Sequence, residues 1–217
     1  MKLLRSFRLR VATLSCLFVL PLLCFAAKEF SMPKVQPAAS YPAHDYHSQE
    51  KVTVALEPYD TPERAKIFVV QYRDLDVLPV LLIVTNDSDQ PVQLSAMKPE
   101  LVTGHGTKLL PLSEDDVYRR VSHPTSSGTR VPLPFPTKKV KGTVNNKQWS
   151  EIQNAQFRAK AVEPLSSQGG FLFFDITDVT DPLVGSHFYL TGVRDSSGKD
   201  LMYFEVQVQN SSNAKPD

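Results

Sequence analysis

The stretch VLPVLLIVTNDSDQPVQL, residues 77–94, constrains this chain more than any other. From Val77 to Val84 it is almost continuously apolar, and it ends at NDSDQP. Short polar side chains and proline in that cluster bond or pre-set a turning backbone. VQL then resumes a strand pattern. A buried strand, a tight turn and a partner strand fit the core of a β-sandwich. Proline supports the same class. The chain has 17 prolines against 9 glycines, and proline inside helices or central strands loses hydrogen bonds. Many loops and strand ends are therefore expected. At 217 residues the chain allows one domain comfortably, or two small ones, and its 41% hydrophobic and 22% charged residues suit a globular protein.

The rest of the chain punctuates in the same way. VTVALE, from Val52, alternates as a strand. Thr61, Pro62 and Glu63 mark a helix start over about 62–68: a capping hydroxyl, a proline at the first helical position and an acid at the positive end. ELVTGHGTKLL reads as a second hairpin, with Gly104 and Gly106 at its turn. PLSEDDVYRRV is a helix with Ser113 as cap and Asp116 three residues on, and Val117 and Val121 share a face. NNKQWSEIQNAQ is a helix capped by Asn145 or Asn146, with Trp149, Ile152 and Gln156 on one side. Then follow FRAKAV, EPLSSQGG as a turn, GFLFFDIT, DPLVG as a turn, SHFYLTGV, RDSSGKD as a turn and LMYFEVQV. In FLFF, strand alternation places Phe171 and Phe173 on one face and Leu172 and Phe174 on the other. Two apolar faces imply a strand covered on both sides. The expected fold is mainly β: an immunoglobulin-like antiparallel β-sandwich with two or three short helices in its connections.

The first residues address the compartment. MKLLRSFRLR carries Lys2, Arg5, Arg8 and Arg10 and no acid, and an uncharged apolar run follows to Ala27. That is the layout of a cleaved secretory signal. It is short for a membrane span and contains Pro21. The expected organisation is a signal peptide at 1–27, an extended linker at 28–50, the sandwich at 51–210 and a polar tail at 211–217. The expected location is periplasmic or secreted. Cys16 and Cys24 both lie in the signal, so the mature chain offers no disulfide or thiol chemistry. Leu23 before Cys24 is not the small residue that a lipid-attachment site wants. The 24 basic residues fall to 20 without the four in the signal, against 23 acids, a balance of −3. Nucleic-acid binding needs a basic surface and is not expected. The mature chain shows no membrane span.

VTVALEPYDTPERAKIF, LPVLLIVTNDSDQPVQL, PLSEDDVYRR, AVEPLSSQGGFLFFDI and LTGVRDSSGKDLMYFEV, in that order, resemble a family of exported bacterial proteins of unknown function, of the kind met in Acidobacteria-type genomes. The resemblance spans about residues 41–208 and implies a single immunoglobulin-like extracytoplasmic domain. Its motifs are structural, and it implies no activity. More loosely, the chain resembles other small bacterial immunoglobulin-like modules that bind partners through loops.

Four stretches invite chemistry. In YPAHDYH, residues 41–47, His44 and His47 at three-residue spacing, with Asp45, are candidate ligands for Zn²⁺ or Cu²⁺. A closed site needs a further ligand from His105, His123 or His187. Tyr41, Pro42 and Tyr46 packing the incoming chain account for the stretch without an ion. No G-x-S-x-G is present, and Ser186 and His187, adjacent on a strand, face opposite ways, so no hydrolase constellation is expected. The acids of SEDD and DITDVTD fit helix-start and turn roles and lack calcium-loop spacing. RVPLPFPTKKVKG, residues 130–142, is a candidate partner-binding loop. Its alternating prolines favour extended chain, and Phe135, Lys138, Lys139 and Lys141 offer contacts to an envelope protein or polymer. The expected function is an exported, non-enzymatic binding or scaffolding module of the cell envelope. The alternative is a periplasmic metal-binding protein using His44 and His47.

Overall fold

The computed structural model describes residues 29–123 and 144–208. Its strands are β1 (Ala43–His47), β2 (Val52–Pro58), β3 (Val77–Asn86), β4 (Val92–Gln93), β5 (Lys98–Val102), β6 (Lys108–Leu109), β7 (Ala161–Val162), β8 (Ser166–Asp175), β9 (His187–Thr191) and β10 (Phe204–Gln207). Three helices, α1 (Pro62–Ala65), α2 (Glu114–Ser122) and α3 (Asn146–Ala155), lie in the connections. One antiparallel sheet has the order β1-β2-β3-β8 and the other β10-β9-β5-β6, while β4 and β7 pair separately. The chain is a mainly-β antiparallel sandwich with few short helices, as its punctuation implies.

β3 organises the molecule because all ten of its residues are buried. Leu78, Val80, Leu82 and Val84 face the second sheet and pack with Leu101, Phe188, Leu190, Phe204 and Val206. Val77, Leu81 and Ile83 face the other way, into a layer built from Phe68, Val70, Tyr72, Val117, Ile152 and Ala155. The first sheet is thus covered on both faces, by a sheet and by helices with their connections. β8 obeys the same rule. Phe171 and Phe173 enter the helical layer, and Leu172 and Phe174 enter the inter-sheet core. Phe171 meets Tyr59 and Phe68 edge-on at 4.8 and 4.9 Å. Each such side chain removed from water contributes about 1.5–3 kcal/mol.

The helix signals hold at their starts. Thr61 Oγ1 accepts from the Arg64 N–H, and Ser113 Oγ accepts from the Asp116 N–H. Asn145 and Gln148 form a reciprocal capping box. Stops and faces differ. α1 ends at Ala65, three residues early. α3 buries Glu151, Ile152 and Ala155, whereas Trp149 sits on the surface against Tyr118.

Three strand expectations are corrected. Residues 29–50 of the expected linker are not simply a linker. Phe30 stacks on Phe68 at 5.7 Å, Ala38 is fully buried, and residues 43–47 pair with β2 as an edge strand. The open edge of β2 offers unpaired backbone groups, and AHDYH satisfies them. VQL does not form a hairpin with β3, because β2 and β8 already occupy both edges of β3. Asn86 turns the chain away instead. Its Nδ2 donates to the carbonyls of Gln90 and Val162 at 2.7 and 3.1 Å, and β4 pairs with β7. SSQGG is strand rather than turn, since β8 starts at Ser166 and the turn is completed by Leu165 in the left-handed region at φ 54°. Gly170 is required there. A Cβ would lie 2.4 Å from Phe157 Cα, where the chain crosses the sheet.

Candidate functional site

The histidine stretch comes first. On β1, His44 and His47 are three apart, and side chains on a strand alternate faces. They therefore diverge, which corrects the expectation that both reach one ion. His44 is exposed, and its Nδ1–H donates to the Tyr41 carbonyl at 2.6 Å. Asp45 and His47 share the opposite face, with Nε2 and Oδ2 3.3 Å apart. Among the described residues, no three His, Cys, Asp or Glu side chains are placed to hold a metal ion.

The structure does bring His47 to a second histidine. β1, the edge of the first sheet, lies beside β10, the edge of the second. Asp45 Oδ2 accepts from the Glu205 N–H at 2.9 Å across that seam. The His47 ring stacks on Phe204 at 4.0 Å. His187 Nδ1 lies 3.0 Å from Glu205 Oε1 but is not aligned for a hydrogen bond. Glu205 Oε1 also accepts from the Tyr189 hydroxyl at 3.0 Å. Asp45, His47, His187, Tyr203 and Glu205 thus line an open hollow. Asp45 ties the edge of one sheet to Glu205 on the edge of the other, so the hollow marks the seam where the two sheets meet. Phe135, Lys138, Lys139 and Lys141, the expected partner-binding residues, lie outside the described residues.

The larger concavity was not expected from the sequence. A groove of about 660 Å³ opens beside the start of β3, within the range of clefts that bury small ligands. One wall is the connection from Tyr59 to Asp76, and the other is the segment from Ile176 to Val184. Phe68, Val70, Val77, Leu78 and Leu183 form an apolar floor. Asp60, Asp74, Asp76 and Asp181 stand around it, with Lys66 and Arg73 as the cations.

Specific bonds hold both walls. The Ile176 N–H donates to the Asp76 carbonyl at 2.9 Å. Arg73 Nη1 donates to the Asp60 carbonyl at 2.7 Å. Arg120 of α2 clamps the two sides. Its Nη1 donates to the Leu75 carbonyl at 3.4 Å and to Thr177 Oγ1 at 3.0 Å, and its Nη2 pairs with Asp175. Partial burial raises the Asp175 pKa, but the Thr177 hydroxyl and amide and the Arg120 guanidinium outweigh it and hold the carboxyl below its usual value. Behind the first wall lies Glu151, fully buried on α3. It accepts from the backbone N–H of Val69, and from that of Val70 at 3.2 Å. Burial, and then the charge of Glu151, push the Tyr72 phenol far above its ordinary value. Burial and Glu57 do the same to Tyr59. Both phenols stay protonated at any working pH.

Among the described residues, no His, Cys or Ser side chain lines this groove. What the arrangement offers is shape, an apolar floor and fixed negative charge. The one hint in the sequence is PYDTPERAKIFVVQYRDLD, which joins two buried strands and mixes aromatic, aliphatic and charged residues with no sustained period. A connection that keeps so many apolar residues must pack against something. Comparison with known protein families finds no match for this chain, and comparison with curated proteins finds none either.

Proposed function

We propose that this protein is an exported, non-enzymatic binding or scaffolding module of the cell envelope that engages its partner through the groove beside β3. The observation that carries this reading is the groove itself: 660 Å³, with an apolar floor and walls tied by backbone and guanidinium bonds. Pre-formed concavities of this kind are the usual seats of ligands. Export rests on the basic-then-apolar layout of residues 1–27. No helix among the described residues is long and apolar enough to cross a membrane. The metal alternative gains no such support, since His44 and His47 face opposite ways.

The test is capture from envelope extract by residues 28–217, set against the same protein carrying Val184→Arg. Val184 is 55% exposed on the rim, so arginine there fills the groove without entering the core. Loss of a partner with the variant supports the reading. Identical capture by both proteins defeats it. N-terminal sequencing of the exported protein tests the signal, and a chain retaining Met1 would refute cleavage.

A further inference from the structure

We infer that the occupant of the groove is a cationic, partly apolar peptide segment of a partner protein. This rests on the groove being the binding site, and it adds the chemistry of what binds. Four carboxylates line the groove against two cations. Arg73 donates to the Asp60 carbonyl, and among the described residues Lys66 makes no ion pair at the rim. Asp74, Asp76 and Asp181 are exposed, and among the described residues their carboxylates make no ion pair and accept no hydrogen bond. An anionic ligand meets net repulsion there. A metal ion lacks a convergent ligand set. A lysine or arginine side chain gains one or more partners at the rim, and its aliphatic stem can lie along apolar surface while its head stays wet. The floor of Phe68, Val70, Leu78 and Leu183, continued at the lip by exposed Val184, needs apolar contacts that a simple polyamine does not supply. A peptide that alternates basic residues with proline or aliphatic ones satisfies both demands.

The experiment is fluorescence anisotropy of the mature protein with a labelled heptapeptide, KPLKPVK, beside its glutamine counterpart QPLQPVQ. Two proteins are compared with wild type: Val184→Arg, and the triple variant Asp74→Asn, Asp76→Asn, Asp181→Asn. Asparagine is isosteric and tolerates the left-handed backbone of Asp76 and Asp181, at φ 53° and 48°. The expected result is binding of KPLKPVK that weakens about tenfold in the triple variant, as three rim charge pairs worth a few-fold each are lost. That binding also falls as salt rises, because rim charges are screened over about 8 Å at physiological ionic strength. If QPLQPVQ binds as tightly as KPLKPVK, and Val184→Arg weakens both, the charge inference is wrong while the groove remains the binding site. If spermidine competes as effectively as KPLKPVK, the peptide assignment is wrong. If wild type binds neither peptide, the inference falls, and the binding reading is then judged by envelope capture alone.

Discussion

Glu151 is the side chain on which the groove wall depends, and replacing it tests that dependence directly. It is fully buried, and its carboxylate receives the backbone N–H groups of Val69 and Val70, which precede the groove-lining Tyr72. Hydrogen bonds to a charged group contribute about 1.5–3 kcal/mol each. In Glu151→Ala both donors lose their acceptor. Val69 is only part-buried and can turn to water, but Val70 is buried and cannot. The expected cost is about 3–5 kcal/mol, the range for stranding one half of a buried polar arrangement. In Glu151→Gln one amide oxygen still accepts, but the NH₂ group faces the second donor. About 1.5–3 kcal/mol is expected. Urea unfolding measures both. With a slope of about 2 kcal/mol/M, the alanine variant's midpoint falls by about 1.5–2.5 M. Against a typical stability of about 5–15 kcal/mol, the fold is weakened but present at all but the lowest end of that range. Amide exchange at Val69 and Val70 should also quicken in Glu151→Gln well below the unfolding transition. A glutamine variant within about 0.5 kcal/mol of wild type, with an unchanged slope, would show that Glu151 does not hold this wall.

Other expectations follow from the same geometry. The Asp175 carboxyl is held below its unfolded pKa, so its contribution is present above about pH 4 and is lost as pH falls through the lower folded value. Asp175→Asn should flatten the acid limb of the stability-versus-pH curve below about pH 4 and leave its shape near neutrality unchanged. Gly170→Ala puts a methyl 2.4 Å from Phe157 Cα. A loss of about 2 kcal/mol or more is expected by denaturant titration, since backbone must shift to admit it. In calorimetric titration, His44→Ala should leave Zn²⁺ and Cu²⁺ behaviour unchanged, and a large loss of affinity would overturn the divergence of His44 from His47. His47→Ala removes the ring stacked on Phe204 and should cost about 0.5–1.5 kcal/mol in thermal unfolding.

Much of the fold was legible because local chemistry decided it. The ten-residue burial of β3, the split of FLFF between two layers and the caps at Thr61, Ser113 and Asn145 are each written in adjacent residues. Where neighbours at long sequence distance decide, local chemistry does not reveal the outcome. VQL carries strand chemistry, yet which strand it joins depends on β8, some 75 residues later, having filled the far edge of β3. AHDYH lacks an apolar period, yet it becomes a strand because β2 has an open edge. Of the side shared by Trp149, Ile152 and Gln156 only Ile152 is buried on α3, and the acceptor needed by Val69 and Val70 buries Glu151 beside it.

The sequence by itself determined an antiparallel β-sandwich with covered strands and capped short helices, because these follow from periodicity, turn residues and composition. It also carried the alternation rule that separates His44 from His47, once their stretch is known to be a strand. Only the tertiary structure decided that β1 closes the seam against β10, that Glu151 anchors the Val69–Val70 backbone, and that the walls either side of β3 leave a groove rimmed by aspartates. Each of those joins residues separated by scores of positions, and no local propensity records where two distant backbones will meet.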